Sequence, residues 1–173
     1  MGRLLNALEH QIEVTARTGE PDYKLILGIA EYFCDYPDRC HHPKEIAVFD
    51  HLRAKYPQEA KAIVDLTTEH TNTHQRVSLF RRVFYEILQD AIIPRSTLIF
   101  AARSFIRAER RHMRMEEEDF FPLAEKCFVL EDWSCVEECL AKNGQPLFVN
   151  QVENEFKGIS ERLLEWEKQY MPD

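Results

Sequence analysis

Residues 112–120 decide the fold, and they read His-Met-Arg-Met-Glu-Glu-Glu-Asp-Phe. Glu116 follows His112 by four positions, and Phe120 follows Glu116 by four. A spacing of four places side chains on one face of an α-helix, about 5–6 Å apart. Residues 41–49, His-His-Pro-Lys-Glu-Ile-Ala-Val-Phe, repeat this order of histidine, glutamate and phenylalanine. The two stretches predict two similar helical hairpins that face each other around a pseudo-symmetric two-metal site.

Apolar residues recur every three or four positions around these stretches, which is typical of helices that bury one face in a bundle. The helical stretches are separated by turn-forming segments at residues 19–22, 56–57, 93–96 and 143–146. We expect helices over residues 2–18, 22–55, 57–91, 95–127, 132–142 and 150–169. Pro37 and Pro43 interrupt the second helix, because proline removes a backbone hydrogen bond.

The length and composition suit one helical domain with a sizeable core. The chain has 173 residues, of which 45% are hydrophobic and only five are glycine. Strand-like alternation of apolar and polar residues is almost absent, which favours helices. The sequence therefore predicts an all-α, antiparallel four-helix bundle over residues 1–130. Residues 131–173 are expected to form a helical C-terminal extension that packs on the bundle.

The net charge, the apolar runs and the cysteines argue against some partners and locations. The formal net charge is −8, which disfavours nucleic acid and anionic membrane surfaces. The first residues lack the apolar run of a signal peptide, and no apolar run reaches the ~20 residues of a membrane span. Five cysteines occur without a Cys-x-x-Cys pair, which is typical of reduced thiols in the cytosol. We expect a cytoplasmic protein.

Histidines and glutamates interrupt the apolar faces of three predicted helices. A single histidine on an apolar face is more often a hydrogen-bonded core residue than a metal ligand. Here each of three helices carries two such residues four positions apart. This repetition is harder to explain by isolated core residues, because burying a polar group without a partner is costly. Imidazole nitrogens and carboxylates together suit non-heme iron, manganese or zinc. The predicted metal ligands are His41, Glu45, His70, His74, His112 and Glu116.

The register of two helices supports this grouping. His70 precedes the predicted turn near Ile92 by about as many residues as His112 follows it. Antiparallel helices rise equally per residue, so the two histidines are expected at the same level of the bundle.

The motifs resemble those of the hemerythrin-like (HHE cation-binding) domain family, in its bacterial form. The resemblance rests on the combination of several segments, since one His-x-x-x-Glu alone is a weak signal. It covers nearly the whole chain through residues 35–45, Glu69-His70, residues 112–122, residues 131–133 and residues 145–148.

The resemblance implies a left-handed four-helix bundle with a non-heme di-iron centre. Glu45 and an acid from Glu116-Glu117 would bridge the two irons. His41 would serve one iron, and the other would take His70, His74 and His112. Oxygen-carrying members have the second acid five residues after its histidine, which is Glu117 here. Many bacterial relatives have it four residues after, and Glu116 is favoured because it matches the pair in the second helix.

Two further histidines are expected outside the ligand set. His42 precedes Glu45 by three residues, a spacing that would let it contact the metal. It is expected instead to lie behind the ligands or to face solvent, because adjacent helical residues point about 100° apart. The family's first histidine lies in a Glu-His pair of the first helix, as in Glu9-His10. Register argues against His10, which falls ~16 Å along the helix from the level of His41. We expect that the chain starts late, that one metal is short of a ligand, and that a homodimer covers the gap.

These expectations lead to a non-heme di-iron protein whose ligand is O₂ or another small diatomic molecule. Its role would be O₂ binding, oxygen or redox sensing, or iron or nitric oxide handling, with zinc or manganese as substitutes for iron. An alternative is a di-iron enzyme, either a peroxide or nitric oxide reductase or an iron-centre repair factor. This alternative ranks lower, because the sequence shows no separate acid–base pair or redox cysteine motif. A third reading is a helical interaction module depleted of metal.

Overall fold

The computed structural model describes residues 1–17, 19–63, 65–144 and 157–170. Within these ranges the chain is helical and contains no strand, which confirms the all-α fold class. The α-helices are α1 (Gly2–Arg17), α2 (Tyr23–Tyr36), α3 (His42–Lys55), α4 (Leu66–Leu88), α5 (Arg95–Met115), α6 (Phe121–Cys127), α7 (Leu130–Lys142) and α8 (Lys157–Tyr170).

Two π-helical turns join these helices into longer arms. The turn Pro37–His41 connects α2 to α3, and the turn Glu116–Phe120 connects α5 to α6. Each turn closes with a backbone bond between residues five apart, such as that from His42 N–H to the Pro37 carbonyl. The four bundle helices are therefore α1, the α2–α3 arm, α4 and the α5–α6 arm. Pro37 is accommodated at the start of a wider turn, so the second helix continues past it.

The start of α4 differs from the sequence prediction. The helix was expected from residue 57, but it begins at Leu66, and a short 3₁₀ turn occupies Ala60–Ala62. Asp65 has an extended backbone, and its side chain accepts a hydrogen bond from the Thr67 amide. That bond caps the helix, which explains its late start. The predicted residues 150–156 and the motif at 145–148 lie outside the described residues.

Two apolar clusters fill the bundle on either side of a polar layer. The first contains Phe33, Phe80, Phe84 and Phe105 together with aliphatic residues of α1, α2, α4 and α5. The second contains Phe49, Leu52, Leu66, Phe120 and Phe128. Each fully buried phenylalanine or leucine stabilises the fold by about 1.5–3 kcal/mol. Along α4, His70 lies between Leu66 of the second cluster and Val77 of the first.

The described C-terminal helices pack on the bundle at two places. Helix α7 lies against α3, and α8 lies against α1 and α2. Gly28 of α2 faces α8, where a Cβ would lie 3.4 Å from the Ile159 side chain, an ordinary van der Waals distance. The boundary between residues 1–130 and 131–173 stays a prediction. None of the helices in the described ranges is long and apolar enough to cross a membrane.

Candidate metal centre

Histidine and glutamate side chains from the α2–α3 arm, α4 and the α5–α6 arm converge between the two apolar clusters. They form two overlapping groups whose ligand-type atoms lie within 4.8 Å of one another. The first group contains His42, Glu45, His70 and His112. The second contains His41, Glu45 and Glu116. Glu45 belongs to both groups, so its carboxylate joins them into one centre.

The two central carboxylates each lie between imidazoles. Oε1 of Glu45 is 2.8 Å from His41 Nε2, and Oε2 is 3.2 Å from His70 Nε2. Oε1 of Glu116 is 2.8 Å from His112 Nε2 and 3.8 Å from His70 Nε2. Both glutamates are only 3% exposed, and His112 is fully buried. The His/Glu pairs predicted from their spacing of four therefore meet in the core.

These buried atoms come close together as ion pairs, but their geometry is not that of hydrogen bonds. In the described part of the chain, no hydrogen-bond partner exists for either oxygen of Glu45, for Oε1 of Glu116 or for the Nε2 atoms of His42, His70 and His112. A buried polar atom without a partner costs about 1–3 kcal/mol. So many at one point require an explanation, and a bound cation supplies one. Imidazole nitrogens with carboxylate oxygens are a donor set that fits iron, manganese or zinc.

His42 faces the centre, although regular helix geometry predicted that it lies behind the ligands or faces solvent. Its side chain is 8% exposed, and its ring stacks on that of His70 at 3.7 Å with an interplanar angle of 9°. The π-helical turn Pro37–His41 immediately precedes it. A π turn spreads more residues over one turn, so neighbouring side chains diverge less than in an α-helix. Both His41 and His42 can therefore face the same centre.

His74 lies beside the centre and outside both groups. Its Nδ1 is 2.6 Å from Oδ2 of Asp38, and its side chain is 43% exposed. The other oxygen of Asp38, Oδ1, is 2.9 Å from Nδ1 of His42. A carboxylate on the far nitrogen fixes the orientation of a metal-binding imidazole. Sequence reasoning missed Asp38, although its position four residues before His42 places it on the same helical face.

The remaining candidates have separate surroundings. His10 of α1 faces the C-terminal helix, where its Nδ1 accepts a hydrogen bond from Trp166 Nε1 at 3.1 Å. Its ring also lies 4.4 Å from that of Tyr170. Glu117 is exposed at the surface, whereas Glu116 is buried in the centre.

The electrostatics of the centre keep its carboxylates ionised. Burial raises the pKa of Glu45, but His41 and His70 outweigh burial and hold that pKa below its usual range. Burial likewise raises the pKa of Glu116, and His112 and His70 bring it below the usual value. Burial lowers the pKa of His70, but the two glutamates raise it to about 9. The glutamates therefore present anionic oxygens to the centre.

A cleft reaches the centre from the surface. It has a volume of about 550 Å³, and Ile46 and Pro43 contribute apolar surface to its wall. His42, His70, Asp38 and His74 also line it. A small molecule can therefore approach the first group of side chains from solvent.

The bundle and its His/Glu layer define a cation-binding protein of the four-helix type. The chain belongs to the hemerythrin HHE cation-binding domain family, whose family model matches residues 1–124. This match confirms the resemblance drawn from the sequence motifs. Neither curated proteins nor solved structures give a significant match to this chain.

Proposed function

We propose that this chain holds a pair of non-heme iron ions and uses them to bind O₂ or another small diatomic ligand. Its role is O₂ binding, oxygen or redox sensing, or iron or nitric oxide handling. The observation that carries the proposal is the group of buried nitrogen and oxygen atoms that share Glu45 and lack hydrogen-bond partners among the described residues. Membership of a cation-binding family supports the same reading.

The two groups of side chains suggest which residues hold each ion. His42, His70 and His112 would hold one iron, and His41 and Glu116 would hold the other. The carboxylate of Glu45 would bridge the two, because it lies in both groups. His74, predicted as a ligand from the sequence, is not needed in this arrangement, and its ligand role stays a prediction.

The protein's own residues position the donors and control access. Asp38 orients the imidazole of His42 through Nδ1 and leaves Nε2 directed at the centre. Phe49 and Phe120 follow Glu45 and Glu116 by four residues and pack edge to face in the second apolar cluster, with ring centroids 6.1 Å apart. When bound, a non-heme iron pair supplies a redox-active position for a diatomic ligand. The cleft beside His42 and His70 gives that ligand a path from solvent.

The test is metal analysis of the whole chain. Metal-free protein is titrated with Fe²⁺ without oxygen, and the absorption spectrum is recorded before and after addition of O₂ or nitric oxide. We expect about two irons per chain, as in other two-metal bundle sites, and a new near-ultraviolet band after O₂ is added. Parallel titrations with Zn²⁺ and Mn²⁺ establish which metal is preferred.

Matched histidine variants show where the metal binds. His112→Ala should lose iron, whereas His10→Ala should retain it, because His10 contacts Trp166 and Tyr170. A folded wild-type chain that takes up no metal would overturn the proposal. Rapid consumption of hydrogen peroxide by the iron-loaded protein would instead favour a di-iron enzyme.

A further inference from the structure

Glu109 is a buried acid that the two ligand groups leave out. It lies on α5 three residues before His112, so both side chains project from the same side of the helix. The side chain of Glu109 is 3% exposed. Within the described ranges its Oε1 has no hydrogen-bond partner. The neighbouring Arg110 and Arg111 form ion pairs with Glu9 and Glu69 instead. A buried carboxyl without such partners is costly unless a function uses it.

The surroundings of Glu109 point toward the metal centre. Besides burial, charges of His112, Glu116, His41 and Glu45 act on its carboxyl, and all four side chains belong to the two ligand groups. The Met1 ammonium also interacts with Glu109. Because Glu109 is buried and lies one helical turn before His112, it lies beside the centre on the α5 side.

The two ligand groups are unequal, and the second is the smaller. The first has three histidines and the shared glutamate, whereas the second has only His41, Glu45 and Glu116. Glu109 and His112 also have the Glu-x-x-His spacing that, in other two-metal helical bundles, lets a glutamate and a histidine of one helix both reach the metals. A further carboxylate beside the smaller group would raise its number of donors to four.

We propose that Glu109 is an additional metal-binding residue, whose carboxylate completes the site formed by His41, Glu45 and Glu116. This inference rests on the proposed function, because it requires a second ion at that position. Glu109 is not among the atoms that lie within 4.8 Å of one another. Its side chain must therefore rotate toward the centre when the ion binds. The resulting site has one imidazole and three carboxylates, a set that suits iron or manganese better than softer metals.

Calorimetric titration of metal-free protein with Fe²⁺ tests the proposal. The variants are Glu109→Gln, which keeps the side-chain volume, and Glu109→Leu, which removes the polar group. The matched control is Glu118→Gln on the same arm, where the side chain is exposed. We expect both Glu109 variants to weaken one of the two binding events by at least about tenfold and to leave the other within about threefold, since removal of even an outer-shell partner costs 10–100-fold.

Thermal unfolding without metal provides the second readout. Both Glu109 variants should unfold at the same or a higher temperature than the wild type, because they remove a buried carboxyl whose Oε1 has no hydrogen-bond partner in the described residues. Loss of metal affinity together with retained stability supports a ligand role. If the wild type binds two ions and both variants bind them with unchanged affinity, Glu109 is not a ligand, although the proposed function stands. If the metal-free variants lose helical structure or unfold at a lower temperature, Glu109 has a structural role and the proposal fails. If the wild type binds no second ion, the proposed function fails first.

Discussion

Two polar regions of the molecule each centre on a buried carboxylate, and they differ in how its oxygens are satisfied. Asp132 of α7 is 2% exposed and accepts hydrogen bonds on both oxygens. The donors are Lys55 Nζ, His51 Nε2 and Tyr56 Oη from the bundle, and the amide of Val129, the residue before α7. Glu45 is equally buried, yet neither of its oxygens has a hydrogen-bond partner in the described part of the chain.

The difference separates a carboxylate that protein donors satisfy from one that the proposed function assigns to a metal. Protein donors already satisfy Asp132, so it has little capacity left for a ligand, and it ties α7 to α3. Glu45 has close imidazole neighbours but no satisfied hydrogen bond, which is what a site arranged around a cation requires. The comparison predicts that changes at Asp132 alter stability and that changes at Glu45 alter metal binding.

The largest expected effect on binding comes from Glu45. In Glu45→Ala the residue common to both ligand groups is lost, so metal affinity should fall by more than the 10–100-fold known for outer-shell partners. Metal per chain after dialysis, measured by mass spectrometry, should drop to near zero while circular dichroism still shows a helical protein. Asp132→Asn is the matched control and should keep its metal. A Glu45→Ala chain that retains both ions would contradict the proposed difference between Glu45 and Asp132.

The second prediction concerns stability at Asp132. Asp132→Asn should lower the melting temperature at pH 7 and leave the metal content unchanged. The Lys55 ammonium and the His51 imidazole hold the pKa of Asp132 below its usual range, so ionised Asp132 favours the folded state. That stabilisation is complete above the unfolded-state pKa of about 3.9 and is lost as the pH falls through the lower folded-state pKa. The difference in melting temperature between wild type and variant should therefore shrink as the pH falls below about 4. A constant difference from pH 7 to pH 3 would contradict this.

The third prediction compares two histidines that contact the same aspartate. His42→Ala should weaken binding of one ion by at least about tenfold, because its Nε2 points into the centre. His74→Ala should have a smaller effect, since His74 contacts Asp38 at the edge of the centre. Metal titration of both variants shows which histidine contributes more to metal affinity. A larger loss for His74→Ala would restore the ligand set implied by the sequence resemblance.

The smallest effect is expected at the acidic turn after α5. Glu117→Gln should change metal affinity by less than about twofold, because an exposed substitution away from special features is usually nearly neutral. Glu116→Gln should weaken binding by at least about tenfold, since Glu116 is buried beside His112 and His70. Titration of the two variants side by side shows which acid belongs to the centre. Equal losses would mean that the helical turn rearranges when metal binds.

Local spacing made much of the centre predictable. The pairs His41/Glu45 and His112/Glu116 lie four residues apart, and any helix puts such residues on one face. The register of α4 and α5 about their common turn brought His70 to the level of His112. Apolar residues at helical spacing likewise predicted the bundle and most helix positions.

Departures from regular helix geometry were not predictable in this way. The π turn before His42 changes which side chains face inward, and no residue in the sequence marks its effect on His42. Helix α4 begins at Leu66 and not at residue 57, because the Asp65 side chain caps it through a hydrogen bond from the Thr67 amide. The apolar spacing before residue 65 did not reveal this cap. Glu109 was missed because a single glutamate in an arginine-rich stretch looks like a surface residue.

The sequence by itself determined the family, the helical class and the His/Glu pairs of the candidate centre, because helical periodicity and side-chain chemistry are local properties. Only the tertiary structure decided which further residues lie together with these pairs in the centre. His42 rather than His74 belongs to the first group, and Asp38 orients His42. Asp132 accepts hydrogen bonds from donors that lie more than seventy residues away in sequence. These outcomes depend on burial and on atoms brought together from distant segments. Burial makes an unsatisfied oxygen costly, and only packing shows which oxygens are left unsatisfied.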